Sequence, residues 1–449
     1  MEHKVDVLVI GTGSAGCTLA LECRKAGRQV AVVDSRSYGG TGGMRGSQPE
    51  KYLVKAAQVA QLSQQMSGIG IHPASRIDWP ALMRSKTACT DAVPARTEEE
   101  FRKAGIEPFY GTARFVSPDE VAIDGETAVR AQAVVIATGA HPARLEFPGA
   151  ELVHSTDDFL ELPVLPRRVL FIGGGCLALS LAHVARAAGA AVTILQRGER
   201  ILKRFDAEVV RRLNESAKSL GITIVTGTTA SMAEMNRGAF ITYGRTGCAE
   251  PFPSELIVNT TGRVADLDHL NLEAGQVTRN RYGVAVNEFL QSVSNPRVWA
   301  IGDACDSPFQ LSTVAEMEGV VVAENIVKGK VARPDYHGVP SVVFAQPPLA
   351  GVGMTEEQAA KSGARFRISR GAMNDWPSSR QIGQRHAFYK ILIEQDSGRI
   401  LGAHLFGHNA DETINVFAMA IKFGLSAHDL KQMLWSYPTN VSDLKYMLP

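Results

Sequence analysis

Cysteine is scarce in this chain and poorly spaced for chemistry. Six of the 449 residues are cysteine (Cys17, Cys23, Cys89, Cys176, Cys248 and Cys305), and they form no CxxC, no CxxxxC and no metal-ligand spacing with histidine. That pattern argues against a disulfide-stapled scaffold and against a metal centre, and leaves buried or incidental reduced thiols as the plain reading. Excess charge is also missing: 47 Lys and Arg stand against 46 Asp and Glu, a net charge of +1, with no basic or acidic block. Such a balance favours neither nucleic acid nor a membrane surface as partner. No apolar run reaches the ~18 residues that a membrane helix needs. The opening MEHKVDVLVI passes from Met straight into an apolar strand, with no room for a signal peptide. A cytoplasmic protein is the expectation.

What is present is ordinary globular composition, 45% hydrophobic and 21% charged. Its length suggests about two to four domains with a sizeable core. Residues 4–35 read KVDVLVIGTGSAGCTLALECRKAGRQVAVVDS: an apolar strand, a glycine turn, a helix and a second strand ending in Asp34. The turn is Gly11-x-Gly13-x-x-Gly16, whose glycines let the backbone turn tightly and approach a pyrophosphate at the positive end of the helix. Asp34 stands 23 residues after Gly11, where an acid accepts hydrogen bonds from a ribose diol.

The pattern recurs in RRVLFIGGGCLALSLAHVARAAGAAVTILQR, with Gly173-x-Gly175-x-x-Ala178 between a strand and a helix. The same count of 23 from Gly173 lands on Gln196, followed by Arg197. No acid there repels a 2'-phosphate, and Arg197, Arg200 and Lys203 are cations able to bind one, so the second unit reads as a site for NADP(H) in preference to NAD(H). The alternative is that these cations belong to a solvated loop.

Two nucleotide units in one chain suggest a flavin and a nicotinamide. AVVIATGA is an apolar strand ending in Thr138-Gly139, and VWAIGDACD is another, ending in Gly302-Asp303 and leading into the helix-like TVAEMEGVVVAENIV. An Asp just past the C-terminal end of a strand is well placed for a ribityl or phosphate-linked hydroxyl. Towards the C-terminus, AFYKILIE and RILGAHLFG flank a DSG turn as in a hairpin. Thr355-x-x-Gln358 is a capping box. DETINVFAMAIKFG is a long helix whose apolar face suits either an interface or the core.

In this order the motifs GTGSAG, GGT, ATGA, IGGGCLAL, TTGR, AIGDA, VPSVVFAQPPLAGVGMTEEQA and SYPTNVSD span nearly the whole chain. The sequence thereby resembles the FAD-dependent pyridine nucleotide-disulfide oxidoreductases, the group of glutathione reductase, dihydrolipoamide dehydrogenase, mercuric reductase and soluble transhydrogenase. The resemblance implies an α/β protein with two Rossmann-like dinucleotide-binding domains and an α+β C-terminal dimerisation domain. Its implied boundaries are an FAD domain over 1–150, an inserted NAD(P)H domain over 151–268, a central return over 269–335 and an interface domain over 336–449, giving a homodimer. On the FAD side it implies contacts from Ser14, Ala15, Ser35, Gly40, Thr41, Lys51, Ala113, Ala137, Arg263 and the glycine-turn and strand-end residues already named. On the nicotinamide side it adds Cys176, Leu177 and Gly262.

The chain departs from the family at three places. Most members follow GGT with Cys-x-x-x-x-Cys-x-Pro-Ser-Lys, the two cysteines forming a redox disulfide beside the flavin. Here residues 39–51 read GGTGGMRGSQPEK, so Gly42 and Ser47 stand at the cysteine positions and Lys51 at the lysine. Neither Gly nor Ser supports disulfide exchange. The family's C-terminal His-Pro-Thr, followed by Glu, is Tyr437-Pro438-Thr439 here, with Ser442 at the Glu position and Asp443 one residue late. A tyrosine with an ordinary pKa near ~10 is a poor base at neutral pH but a usable donor. The Tyr and Glu that many members carry after the third glycine are Cys176 and Ser180, so Lys51 loses that family partner.

These residues point to an FAD-dependent NADPH oxidoreductase without a dithiol, which hands electrons directly to a small-molecule acceptor such as a quinone or oxygen. Lys51 would tune the flavin, and Ser47, or Tyr437 across the dimer, would donate a proton or hydrogen bond to the acceptor. Three alternatives stand beside it: transhydrogenation between NADPH and NAD, a nucleotide-binding flavoprotein that no longer turns over, and a disulfide reductase using another cysteine pair, Cys176 with Cys305.

Overall fold

A computed structural model describes residues 2–72, 75–236, 238–244 and 251–449; Cys248 lies outside these. The chain forms two compact units. The first comprises Met1–Lys51, Arg84–Ala143 and Arg263–Tyr336, the second Tyr52–Met83, Arg144–Gly262 and His337–Pro449.

The first unit is built on a sheet with strand order Glu107–Tyr110, Val30–Asp34, Glu2–Ile10, Thr127–Ile136, Glu120–Ile123, Ala113–Ser117, with Val298–Ala300 also paired to Thr127–Ile136. Its centre is parallel, Val7–Ile10 pairing with Val30–Val33 on one side and Ala133–Ile136 on the other. Strands buried on both faces need continuous apolar runs. VLVI and VAVV supply them, and Val7, Leu8, Val9, Val32 and Val33 are fully buried. The helices Ser14–Lys25 and Ser312–Lys328 pack on this sheet, and their contact is so close that a Cβ on Gly319 would lie 2.8 Å from the Ala15 carbonyl oxygen. The return of Val298–Ala300 places Gly302-Asp303 at the same sheet edge as the first glycine turn, because residues at the C-terminal ends of parallel strands gather at one rim.

The second unit holds a four-stranded parallel sheet, Ile222–Val225, Ala191–Leu195, Arg168–Ile172, Leu256–Asn259, carrying the helices Cys176–Ala187 and Ala207–Ser219. It also holds a five-stranded antiparallel sheet, Ser341–Val343, Leu349–Gly353, Ile400–Phe406, Phe388–Glu394, Phe366–Ala372. The expected hairpin is present as the Phe388–Glu394 and Ile400–Phe406 pair, and Thr355 and Gln358 form the expected capping box. The helix Ala410–Phe423 is core-facing, burying Ala410, Ile414, Phe417 and Ala420, while Met419 and Phe423 remain exposed on its other side. Among the described residues no helix is long and apolar enough to cross a membrane.

Candidate functional site

The first glycine turn has a steric reason at its first and third glycines, while a Cβ on Gly13 would meet only Gly40 Cα at 3.9 Å. Gly11 takes φ +105°, and a Cβ on it would lie 2.3 Å from the Ala137 carbonyl oxygen; one on Gly16 would lie 2.0 Å from that of Gly11. Only residues without Cβ allow this approach of strand end to helix start. The GGT segment packs against the same turn: a Cβ on Gly40 would lie 2.4 Å from Gly13 Cα, and Gly39 N–H donates to Thr12 O at 3.2 Å. Asp34 closes the arrangement, its Oδ2 accepting from Thr12 N at 2.8 Å and from Thr12 Oγ1 at 2.7 Å, and its Oδ1 from Arg36 N at 2.9 Å.

Around this turn lies a cavity of about 240 Å3. Of the residues expected at the FAD side, Gly11, Gly13, Ser14, Ala15, Asp34, Ser35, Gly40, Thr41, Ala113, Ala137, Thr138, Gly139, Arg263, Gly302 and Asp303 line it, together with Ser47. Gly16 is not in the lining; it serves the helix–strand packing. Lys51 is not in the lining either and stands one helical turn beyond Ser47 on the helix Ser47–Gln65. The lining also contains Gly42, at the first cysteine position, and Arg36, Arg45, Asp266, His269 and Ser312, which sequence reasoning did not assign. The arginine in the four-residue stretch Gly43-Met44-Arg45-Gly46 between the two lost cysteine positions is the available signal for Arg45.

Burial raises the Asp303 carboxyl above the ordinary range, against the pull of the Arg263 guanidinium. Arg263 itself donates from Nη2 to the Ala140 carbonyl at 2.6 Å. Glu318, fully buried, accepts from Gly302 N–H at 2.6 Å, Ser307 Oγ at 2.6 Å and Tyr336 Oη at 2.8 Å, and so clamps the loop that carries Asp303. Asp266 is held low by its contact with His269, Nδ1 to Oδ1 3.4 Å. A turn whose first and third glycines leave room only for backbone, a helix N-terminus facing the cavity and a carboxyl at the strand rim fit the adenine dinucleotide part of FAD.

The second unit repeats the design. Gly173 takes φ +108°, and its Cβ would lie 2.5 Å from the Thr260 carbonyl oxygen. Gly175 caps the helix that Cys176, Leu177 and the buried Ala178 begin, Cys176 being exposed. Gln196 Oε1 accepts from Gly174 N at 2.8 Å. Arg197 is exposed, and Lys203 lies over the adjoining turn, its Nζ 3.0 Å from where a Cβ on Gly198 would be. Arg200 is paired with Glu357, Nη1 to Oε1 3.0 Å, and donates to the Lys203 carbonyl at 3.2 Å, so it is less available to a phosphate than the other two. Gly262, at φ +133°, follows the strand that supports Gly173, with open space where its Cβ would be. Ser180 is buried within the helix.

Tyr437 is exposed on the second unit, with Lys445 Nζ 4.9 Å above its ring. Ser442 donates its hydroxyl to the Thr439 carbonyl at 2.6 Å within the local turn, and Asp443 accepts from Ser378 Oγ, 65 residues away in sequence, so both replacements for the family's Glu are engaged in structural contacts. The thiols of Cys17 and Cys23 are pushed up to about 12, chiefly by burial, and that of Cys305 well above its ordinary value. Neutral thiols are poor nucleophiles.

Residues 5–319 match the family described as Pyridine nucleotide-disulphide oxidoreductase, and residues 339–447 match its dimerisation domain. The chain is 32% identical over 444 residues to the glutathione reductase of Burkholderia cepacia, covering 98% of this chain and 97% of that one. It is 30% identical over 449 residues to the mercuric reductase of Staphylococcus aureus, covering 98% and 81%. Among solved structures, the Cu(II) complex of the HOCl-induced flavoprotein disulfide reductase RclA from Escherichia coli superposes with a TM-score of 0.90 over 99% of both chains; at 24% identity that likeness is one of fold. This chain is therefore an oxidoreductase of the pyridine nucleotide-disulphide family, whose members depend on FAD and use NAD(P)H.

Proposed function

We propose that this protein is an FAD-dependent NADPH oxidoreductase that passes electrons to a non-disulfide acceptor such as a quinone or oxygen, with no dithiol between flavin and acceptor. One observation carries the proposal: Gly42 and Ser47, at the positions of the family's redox cysteines, both line the cavity expected to hold FAD. The raised thiols of Cys17 and Cys305, both in this unit, argue against a substitute dithiol.

FAD, when bound, takes up the hydride of the nicotinamide and supplies the electron pair to the acceptor. The 11–16 turn and Asp34 would hold its adenosine diphosphate moiety, and Asp303, on the loop clamped by Glu318, the hydroxyls further along. Lys51 would favour the reduced, negatively charged cofactor by its own positive charge. Ser47, and Tyr437 of a partner protomer, would give hydrogen bonds to the acceptor. Arg197 and Lys203 support NADPH over NADH, Gln196 leaving the 2' position without a repelling carboxylate. The four segments 1–150, 151–268, 269–335 and 336–449 are assigned to FAD binding, nicotinamide binding, return and dimerisation, in a homodimer formed through the last.

Anaerobic titration with NADPH tests the reading. One equivalent of NADPH per FAD should bleach the flavin fully, and a quinone should restore its colour. A requirement for two equivalents, or a thiolate charge-transfer band, overturns it.

A further inference from the structure

The loss of a side chain at residue 42 leaves a gap with a specific lining. A Cβ built on Gly42 would lie 3.4 Å from Ser14 Oγ, 3.6 Å from Ser312 Oγ and 3.8 Å from Ser47 Oγ. Three hydroxyls from distant parts of the sequence thus surround one vacant methyl-sized volume. They converge because each serine is the first residue of a separate helix, Ser14–Lys25, Ser47–Gln65 and Ser312–Lys328. Arg45 lines the same cavity and adds a positive charge. Gly42 lies within the short helix Gly40–Met44 and is not among the positive-φ glycines, so its backbone does not require the missing side chain.

We infer that this gap is the acceptor subsite, and that it takes one carbonyl oxygen of a quinone. The inference rests on the dithiol-free reading above and names its substrate class. The overall reaction is NADPH, a proton and a quinone giving NADP+ and a hydroquinone. The nicotinamide C4–H bond breaks and supplies two electrons and one hydrogen, the second proton comes from solvent, and an O–H bond forms at each carbonyl oxygen. As electrons arrive, the quinone oxygen in the gap becomes negatively charged. The Ser14 and Ser312 hydroxyls beside that atom, the Arg45 guanidinium in the same cavity lining, and Ser47, whose Oγ donates to the Gly42 carbonyl at 3.4 Å until the acceptor enters, would stabilise the charge where it develops. A side chain at residue 42 would occupy the volume that the quinone oxygen takes.

The test uses the full-length holoenzyme and the variants Gly42→Ala and Ser312→Ala. The added methyl of alanine meets its neighbours at ordinary contact distances, so the fold should tolerate it. Stopped-flow reading of reoxidation by a benzoquinone, taken relative to reduction by NADPH in the same protein, should fall about tenfold or more in each variant. Calorimetric titration of the oxidised protein, without NADPH, with para-nitrophenolate, a flat anion with its charge on a ring oxygen, should show binding to the wild type that the quinone competes away and that Gly42→Ala weakens about tenfold. Unchanged quinone reoxidation in Gly42→Ala, reoxidation of the wild type by dioxygen alone, or absence of para-nitrophenolate binding each overturns the subsite. Failure of NADPH to reduce the wild-type flavin overturns instead the functional reading beneath it.

Discussion

Gln196 Oε1 accepts the backbone N–H of Gly174 at 2.8 Å, in the same place that Asp34 Oδ2 accepts the N–H of Thr12 at 2.8 Å. The amide therefore performs the structural task of the acid, bracing the glycine turn from the end of the neighbouring strand. At the proposed nicotinamide-nucleotide site it would do so without a negative charge beside the adenosine 2' position.

Gln196→Glu keeps the acceptor for Gly174 and restores that charge. The ratio of kcat/KM for NADPH to that for NADH should fall about tenfold or more, since a charged hydrogen bond contributes ~1.5–3 kcal/mol. Arg197→Ala should move the ratio the same way. Equal efficiency with the two nucleotides in the wild type would refute the preference itself.

Gly42→Cys combined with Ser47→Cys should recreate a disulfide. A Cβ at residue 42 would stand 3.8 Å from Ser47 Oγ, within a sub-ångström shift of bridging geometry. Thiol titration of the denatured, air-oxidised double variant should find no thiols beyond the wild-type number. Anaerobic NADPH uptake should rise from about one to about two equivalents per FAD. Two additional free thiols would show that the loop no longer holds these positions together.

Lys390, 2% exposed, is surrounded by carboxylates: Asp206 at 3.1 Å, Glu208 at 3.2 Å and Glu356. Burial would raise Asp206, but the nearby His404 and Lys390 hold it below its ordinary value; burial likewise opposes the charge on Lys390, which its carboxylates raise. Lys390→Met leaves buried negative charge without its cation, and should cost ~3–5 kcal/mol in a denaturant titration. Adding Asp206→Asn should recover part of that loss. A single variant as stable as the wild type would show that the cluster contributes nothing.

His183 is buried in the helix Cys176–Ala187, its Nδ1 donating to the Leu179 carbonyl at 2.8 Å, and burial lowers its pKa from 6.5 to about 4. Between those values the unfolded chain binds a proton that the folded chain does not. Stability is thus lost as pH falls through that window, by at most ~3 kcal/mol, and is unaffected by this group above it. Denaturation midpoints of His183→Gln should fall less steeply than those of the wild type between pH 6.5 and 4. Parallel curves would assign the dependence elsewhere.

Much of the architecture was legible because it is written in local periodicity. The alternation of VLVI, a glycine turn and an amphipathic helix specifies a strand–turn–helix whatever surrounds it, and both copies folded as their spacing predicts. The DSG hairpin and the Thr355 capping box are likewise local, each satisfied by hydrogen bonds within a few residues. The functions of charged side chains were less legible. Arg200 looked like a phosphate ligand from its neighbours in sequence, but Glu357, 157 residues away, pairs with it. Ser442 and Asp443 stand near the position of a catalytic Glu, yet a turn contact to Thr439 occupies the first and Ser378, 65 residues away, the second.

The sequence by itself determined the two nucleotide folds and the loss of sulfur at residues 42 and 47, because strand, turn and residue identity are properties of short segments. Only the tertiary structure decided that Gly42 opens onto Ser14, Ser47 and Ser312. Those residues lie on three helices whose first turns meet only after a parallel sheet has brought the C-terminal ends of its strands to one rim.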